Sequence, residues 1–390
     1  MALAETNCIS VSVIVPTYGE AENLPPLVAQ VADAFNARGW QWEIIVVDDN
    51  SPDATATVLE ALAREHPQVR FVIRKEDRGL SSAVLAGFAM ARFDYLVVMD
   101  ADLSHPPEMA PALVEPLLDN RADFVIGSRN VPGGRTESWG IFRWLNSAVA
   151  TALSRPLVGP VRDSMAGFFA LRRQLLADCD ALNPIGYKIG LELIVKGRVR
   201  RIVEVPIVFR NRTRGKSKLT LAEQFRYLEH LSRLYDYQFP RGSPRVKFLI
   251  VCTCGALVGL GTMALLVQKA RAEFLPALAI GLLGMILVTL LFFVRYVRTQ
   301  RDFIRMKRPY LEFFLISVGE WCAGLLTGWA ARHVCGIPGS ALMAVGALVV
   351  VRYVLRKILL HDVRGIRGER LVPGRSTGSR EKSPSVMGTP

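Results

Sequence analysis

The sequence predicts an α/β domain, a doubly wound and mostly parallel Rossmann-like sheet, followed by an all-α domain of four transmembrane helices. Two patterns carry this prediction. Through Ser128, short runs rich in Val, Ile and aromatic residues alternate with stretches of helical period, the alternation of a parallel sheet wrapped by helices. From Phe248 to Leu355, four apolar segments recur, each long enough for a hydrocarbon core of ~30 Å. Charge is equally uneven: residues 1–120 carry 7 Lys+Arg against 18 Asp+Glu, and residues 121–390 carry 41 against 17.

The strands come first. Val11–Pro16, Trp42–Asp48, Val69–Arg74, Tyr95–Asp100 and Asp123–Ser128 are near-continuous apolar runs, as expected of strands buried on both faces. Helical patterns lie between them, near Ala21–Arg38, Ala54–Glu65, Leu80–Arg92 and Pro107–Asn120. Arg78-Gly79 precedes the third, and Pro106-Pro107 suits the first turn of the fourth. Two amphipathic helices follow. In Trp139–Leu157 an apolar row, Phe142, Leu145, Val149, Ala152 and Leu153, lies opposite Arg143, Ser147, Thr151 and Ser154. In Thr220–Phe239, Leu221, Phe225, Leu228, Tyr235 and Phe239 share a face. The second helix leads within a few residues into an apolar segment, so both are expected at a membrane interface.

Of the four apolar segments, Phe248–Val267 and Phe274–Val294 carry no charge. Phe313–Ala331 contains Glu320, and Ile337–Leu355 contains Arg352 near its end, where it is expected to snorkel. The connection Arg295–Arg308 and the tail are rich in Lys and Arg, whereas Gln268–Glu273 and Arg332–Gly336 are much less basic. That bias predicts a multi-pass protein with both termini and the α/β domain in the cytoplasm. It also places the basic charge beside membrane spans, which argues against nucleic acid as a partner. No signal peptide is expected, because the start has no basic n-region and its first apolar run ends at Pro16. The six cysteines show no metal or disulfide spacing. The Gly-, Arg-, Ser- and Pro-rich tail after Asp362 is predicted to be disordered.

The chemistry is concentrated at strand ends. The stretch V-V-M-D-A-D-L-S-H-P-P-E, Val97 to Glu108, delivers Asp100 and Asp102 to the carboxyl end of a buried strand. Acids spaced i, i+2 can share one hard divalent cation, and that cation can hold a diphosphate. Ligands of open α/β sheets bind outside these strand ends. The first strand closes on V-I-V-P-T-Y-G-E and the second on V-V-D-D-N-S-P-D, acids and an aromatic suited to a base and a ribose. No G-x-G-x-x-G, G-x-x-x-x-G-K-[ST], serine elbow or H-E-x-x-H occurs, which disfavours a dinucleotide fold, a P-loop NTPase, a serine hydrolase and a zincin.

In order along the chain, P-T-Y-x-E, V-D-D-N-S-P-D, R-G-L-S-S-A, D-A-D-L-S-H-P-P-E, G-S-R-x-x-x-G-G, D-S-M-A-G-F-F-A-L-R-R, G-Y-K-I-G-L-E and R-x-R-G-K-S-K-L resemble inverting GT-A glycosyltransferases of family 2. More closely, they resemble the polyprenol (dolichyl) monophosphate mannose synthases, across about residues 10–240. The last 150 residues resemble the four-span GtrA-like module fused to some of these enzymes. The resemblance implies a GT-A domain over residues 1–219, a juxtamembrane helix and linker over 220–245, a transmembrane domain over 246–360 and a tail over 361–390. Its four spans would be about 248–267, 274–294, 313–331 and 337–355, and this module leaves room for an oligomer.

The resemblance also implies roles. Pro16, Tyr18, Glu20, Asp48, Asp49, Arg78, Gly79, Asp100 and Ala101 would hold the nucleotide, which of the two adjacent aspartates faces the base being open. Asp100, Asp102 and Ser104 would face Mg²⁺ or Mn²⁺, with Ser104 standing where the family usually has Gln. Arg129, Arg143 and Ser147, joined by Arg214 and Lys216, would meet the lipid phosphate; a planar guanidinium fork suits phosphate oxygens. Asp102, Arg129, Arg143 and Asp163 form the expected catalytic set, with Asp163 orienting the sugar. Glu192 reads as a structural hydrogen-bond acceptor. The implied partners are a nucleotide sugar, with GDP-mannose favoured over UDP-glucose, a polyprenyl or dolichyl phosphate, and membrane lipid. A phosphate acceptor is already an anion, so no general base is required. Two other readings are weaker. A processive polysaccharide synthase would carry Q-x-x-R-W, which Gln224-Phe225-Arg226-Tyr227 does not match. A translocator or scaffold role for the membrane module rests on Glu320 inside a span.

Overall fold

In the computed structural model the chain forms two compact units, Met1–Pro244 and Arg245–Pro390. The structure describes residues 9–76, 78–137, 141–179, 182–183, 185–186, 188–210, 221–240, 242–299 and 309–359. The first unit holds strands β1 (Ser10–Thr17), β2 (Gln41–Asp48), β3 (Val69–Ile73), β4 (Tyr95–Val98), β5 (Phe124–Ser128), β6 (Arg135–Thr136), β7 (Phe169–Arg172), β8 (Ile202–Pro206) and β9 (Val208–Phe209). Its helices are α1 (Leu24–Asn36), α2 (Thr55–Glu65), α3 (Leu80–Met90), α4 (Ala110–Leu118), α5 (Ile141–Val158), α6 (Gln174–Asp178), α7 (Ile189–Lys196) and α8 (Leu221–Gln238).

Seven strands make one sheet in the order β3-β2-β1-β4-β7-β5-β8, and β6 pairs with β9 beside it. Every sheet pairing is parallel except those of β7, which runs antiparallel to both β4 and β5. Chain order reverses between β1 and β4, so a crevice opens at the carboxyl ends of these two strands. The acids that follow β4 and the loop that follows β1 both leave the sheet at this end.

Successive residues of β1 face opposite layers. Val11, Val13 and Val15 pack with Leu24, Leu27 and Phe35 of α1 and with Leu113 and Leu117 of α4. Ile14 packs on the other side, in a cluster with Val84 and Phe88 of α3. Gly87 is required by that contact: a Cβ there would stand 2.4 Å from Ile14 Cγ2. Burial on both faces explains why the strands read as unbroken apolar runs. β7 was not expected as a strand. Only four residues long, it lies inside D-S-M-A-G-F-F-A-L-R-R, and its partners are set by tertiary packing, including a stack of Phe169 on Phe124 with ring centres 5.1 Å apart.

Helices α5 and α8 are turned in a way that periodicity alone left open. On α5 the polar row faces the protein: Thr151 and Ser154 are buried, and Ser154 Oγ lies 2.5 Å from Ser164 Oγ. The apolar residues Trp144, Leu145, Val149 and Leu153 are exposed. The Tyr227 hydroxyl of α8 donates to the Ala150 carbonyl and that of Tyr235 to the Leu153 carbonyl, both at 2.8 Å, while Phe225 and Leu228 point outward.

The second unit contains α9 (Ser243–Gln268), α10 (Phe274–Thr299) and α11 (Pro309–Leu359). Among the described residues, three stretches are long and apolar enough to cross a membrane: Ser243–Gln268, Phe274–Val294 and Phe313–Val354. Gly336 breaks α11 with a left-handed φ of 66°, two residues before Pro338. A Cβ on Gly328 would stand 3.2 Å from that of Ala344. In a straight helix these residues would be about 24 Å apart at 1.5 Å per residue, so α11 folds back into two antiparallel legs. Arg352 does not snorkel. It is buried, and its Nε and one Nη donate to Glu320 of the other leg at 2.8 and 2.5 Å, while the second Nη reaches Thr289 Oγ1 of α10 at 2.6 Å. An apolar surrounding makes that paired arrangement favourable over an isolated charge. Helices α9 and α10 cross closely where Gly259 and Gly281 meet, with a Cβ on either falling within 2.7 Å of the other's carbonyl oxygen.

Candidate active site

The loops after β1 and β2 are tied into one shelf. Gly19, at φ 72°, donates its N–H to Ser51 Oγ at 2.7 Å, and Ser51 donates its own N–H to Asp48 at 2.9 Å. Asp53 accepts from the Ala21 N–H at 3.3 Å and from the Thr55 hydroxyl at 2.5 Å. Glu20 accepts from Asn23 Nδ2 at 2.6 Å. Pro16 is the penultimate residue of β1, and Tyr18 projects from the shelf, 44% exposed. Asp48 and Asp49 are both buried, with different duties. Asp48 braces the Ser51 turn. Asp49 takes the Arg74 guanidinium on one oxygen and the Gly79 N–H, at 2.7 Å, on the other. Arg74 also donates to Ser82 Oγ and to the Gly79 carbonyl, both at 3.1 Å. Sequence reasoning missed Arg74; its position at the end of β3, beside two acids on β2, was the available signal. Arg78 precedes this turn and is exposed.

At the end of β4 the two acids are unlike each other. The Asp100 side chain is 35% exposed. Asp102 is buried, and its Oδ1 accepts the Ser104 N–H at 3.1 Å together with the Ser104 hydroxyl. Ser104, expected to face a metal, is fully buried, with its hydroxyl and N–H both given to Asp102. Leu103 between them adopts φ 59°, an uncommon conformation for a branched residue, and Ala101 is buried in the core cluster of β1 and α1. His105 Nδ1 accepts the Asp100 N–H at 3.0 Å, and its ring stacks on Phe168 at 5.2 Å. Burial lowers the His105 pKa, so the ring is neutral and carries its proton on Nε2. Gly167 lies alongside: a Cβ there would stand 3.6 and 3.7 Å from the two Asp100 oxygens. Among the described residues no three His, Cys, Asp or Glu groups converge as a closed metal site. Two acids with a hydroxyl behind them, an open carboxylate and a glycine leaving room at its side fit an ion that takes its other ligands from a diphosphate.

A second charged cluster forms where β5 ends. Arg129 donates through Nε and one Nη to Asp163 at 2.7 and 2.6 Å, and its own N–H donates to the same carboxylate at 3.0 Å. Its guanidinium lies 5.2 Å from the centre of the Phe209 ring. Asp163 is fully buried, with both oxygens engaged by Arg129. Burial works to raise the Asp163 carboxyl, but the hydrogen bonds and charge of Arg129 outweigh it and hold the pKa below its ordinary value. Glu204 of β8 supports the loop by accepting the Arg162 and Asp163 N–H groups, both at 2.9 Å. Gly134 lets the chain double back, since a Cβ would meet the Ser128 carbonyl at 2.5 Å. Lys188, just before α7, donates to the Met165 carbonyl. Its burial and the Arg129 charge push its pKa down to about 8, against the pull of Asp163 and Asp100.

Ser147 lies on α5 and is partly buried. Arg143 belongs to the same helix, one turn earlier, but its side chain lies outside the described residues, as do Arg214, Lys216 and the tail from residue 361. Glu192 has the structural role read from the sequence. Fully buried on α7, it receives the Asn183 N–H at 2.8 Å, Lys196 Nζ at 2.5 Å and His230 of α8 at 3.2 Å. Burial raises its carboxyl, but those hydrogen bonds hold its pKa below the ordinary value.

Residues 12–179 match the family described as Glycosyl transferase family 2, and residues 247–360 match the GtrA/DPMS transmembrane domain. The dolichol-phosphate mannosyltransferase of Pyrococcus furiosus is 37% identical over 357 residues, 90% of this chain and 98% of that one. That of Saccharomyces cerevisiae is 42% identical over 240 residues, 59% of this chain and 89% of its own. The undecaprenyl-phosphate mannosyltransferase of Micrococcus luteus is 39% identical over 215 residues, 53% and 86% of the two chains.

Proposed function

Since the chain belongs to the dolichol-phosphate mannosyltransferase family of family 2 glycosyltransferases, we propose that it transfers mannose, with inversion, from GDP-mannose to a polyprenyl monophosphate at the cytoplasmic face of a membrane. The observation that carries this reading is the meeting, at one end of the sheet, of the Asp100/Asp102 pair with the Arg129–Asp163–Lys188 cluster. The first suits a nucleoside diphosphate with Mg²⁺ or Mn²⁺; the second suits a phosphate acceptor.

Pro16, Tyr18, Glu20, Asp48, Asp49, Arg78, Gly79 and the Asp100-Ala101 backbone hold the nucleotide. Asp100 and Asp102 hold the ion, and Ser104 fixes Asp102. Bound there, the ion supplies a positive charge for the diphosphate that leaves. Arg129, Arg143 and Ser147, with Arg214 and Lys216, receive the acceptor. One phosphate oxygen of the acceptor attacks the anomeric carbon from the face opposite the diphosphate. The new carbon–oxygen bond forms as the old one breaks, and GDP departs with that electron pair. No proton is lost, so no base is needed. The full commitment of Glu192 to Asn183, Lys196 and His230 agrees with this.

The membrane arrangement follows from the same reading. The two legs of α11, with α9 and α10, make four crossings, which leaves both termini and the catalytic domain on the Lys/Arg-rich cytoplasmic side. The exposed rows of α5 and α8 lie in the interface, which brings α5, the helix that carries Arg143 and Ser147, to headgroup depth.

The test is a panel of nucleotide sugars given to the purified protein with polyprenyl phosphate and Mg²⁺ or Mn²⁺, the lipid product being identified by mass. A mannosyl-phosphoprenol formed from GDP-mannose alone is expected. A product from UDP-glucose instead would correct the donor, and no lipid product from any donor would overturn the reading.

A further inference from the structure

His105 stands three residues after Asp102 and is buried, and no part of the proposed transfer uses it. Its Nδ1 accepts the main-chain N–H of Asp100 at 3.0 Å, which fixes the backbone that carries the exposed carboxylate. Its ring stacks on Phe168, with centres 5.2 Å and planes 22° apart, and meets Phe209 at 5.5 Å and 73°. Phe209 in turn carries the Arg129 guanidinium 5.2 Å from its ring centre. Contact therefore runs from the Asp100 main chain, through one imidazole and one phenyl ring, to Arg129. A second tie runs beside it. The Ser104 carbonyl accepts the Arg210 N–H at 3.0 Å, joining the neighbour of His105 to the neighbour of Phe209. The stack has a firm base: Phe168 is fully buried, and its carbonyl accepts the Gly127 N–H of β5 at 2.9 Å. Gly167 keeps the near side open, since a Cβ there would stand 3.4 Å from His105 Cε1.

We propose that His105 is a positioning residue that sets Asp100 through its Nδ1 and Arg129 through its ring, so that the donor and acceptor sides keep one spacing. The proposal rests on the lipid-phosphate transferase reading and adds a residue to it. Neither duty alone calls for histidine. An amide oxygen can accept the Asp100 N–H, and a phenyl ring can fill the stack. An imidazole carries the acceptor within the aromatic ring itself, so one side chain meets both demands. Spacing matters because a displacement needs its reacting groups aligned, and a shift of ~1 Å can cost about a hundredfold in rate.

The experiment uses the full-length protein in lipid nanodiscs and reads binding as well as turnover. Wild type, His105→Asn and His105→Phe are compared by calorimetry for two ligands, GDP with Mn²⁺ and a short soluble polyprenyl phosphate. Asparagine keeps an acceptor in place of Nδ1 and loses the ring; phenylalanine keeps the ring and loses the acceptor. His105→Phe is expected to raise the Kd of GDP with Mn²⁺ by about three- to tenfold, as for one lost hydrogen bond, and to hold that of polyprenyl phosphate within about twofold. His105→Asn should do the reverse. GDP with Mn²⁺ should stay within about twofold, and polyprenyl phosphate should weaken by about three- to tenfold, as for one lost aromatic contact. With GDP-mannose as donor, kcat should fall in both. Any pattern without this opposite selectivity overturns the proposal. Equal weakening of both ligands in both variants would make His105 a packing residue, and wild-type affinities in either variant would remove one of its two duties. If one variant does not fold, the other decides alone, since each has its own selective expectation. Failure of the transferase reading is separate: wild type itself would then give no mannosyl lipid.

Discussion

Asp100 and Ser104 stand on either side of Asp102 and touch the chemistry in different ways. On the proposed reading, Asp100→Ala and Asp102→Ala are each expected to lower kcat by at least ~10²–10³ without loss of fold, because each would remove a ligand to the charge that stabilises the leaving group. Ser104→Ala should be milder. It deletes a hydrogen bond to Asp102, so the Mn²⁺ concentration for half-maximal activity should rise about two- to tenfold, as a lost neutral-donor contact dictates. Arg129 and Asp163 should behave as one unit: Asp163→Asn and Arg129→Ala should each raise acceptor KM, and the double variant should be no worse than Arg129→Ala by more than about twofold. The Asp163 carboxyl titrates below its ordinary value. Its stabilising effect is therefore complete above the unfolded carboxylate range near ~4 and lost only as pH falls through the lower folded value. Acceptor KM should not show a titration from this pair between pH 5 and 7. The acids of the D-x-D stretch were legible because they stand only two residues apart in sequence. Arg74 and Glu204 were not, since their partners Asp49 and Asp163 lie 25 and 41 residues away.

At the scale of elements, strands buried on both faces announced themselves, and β7 did not. Its four residues carry no period, and its antiparallel place between β4 and β5 is a matter of topology. The helical period of α5 and α8 was readable, but which row faces the protein was not. The exposure of Trp144, Val149 and Phe225 gives that expectation a test. Val149→Asp and Phe225→Glu should leave the melting temperature nearly unchanged, weaken turnover of a long-chain acceptor in vesicles, and spare a short soluble polyprenyl phosphate. An equal defect on both acceptors would assign these rows to something other than lipid. Arg352 shows the opposite kind of surprise, where composition suggested an arginine reaching the surface and packing recruited Glu320. Glu320→Gln or Arg352→Leu alone should destabilise the membrane unit by about 3–5 kcal/mol, because each strands a buried charged or polar partner. The pair Glu320→Met with Arg352→Leu should recover most of that loss in thermal unfolding.

The whole molecule joins a domain with an acidic first part to a basic, apolar one, and that contrast was visible in composition. The division into Met1–Pro244 and Arg245–Pro390 follows it, with α8 belonging to the first unit. What composition does not show is the chemistry proposed for the acceptor, which is supported by the Arg129–Asp163 pair at the end of β5 and by the commitment of Glu192 to Asn183, Lys196 and His230. The central claim is that the acceptor is an anion needing placement rather than an alcohol needing a base. The most direct measurement offers the same nanodisc-embedded protein and the same nucleotide sugar a polyprenyl phosphate and the matching free polyprenol, and quantifies each mannosylated lipid by mass. Transfer to the phosphate with none detectable to the alcohol is the predicted result. Comparable transfer to the free alcohol would contradict the account.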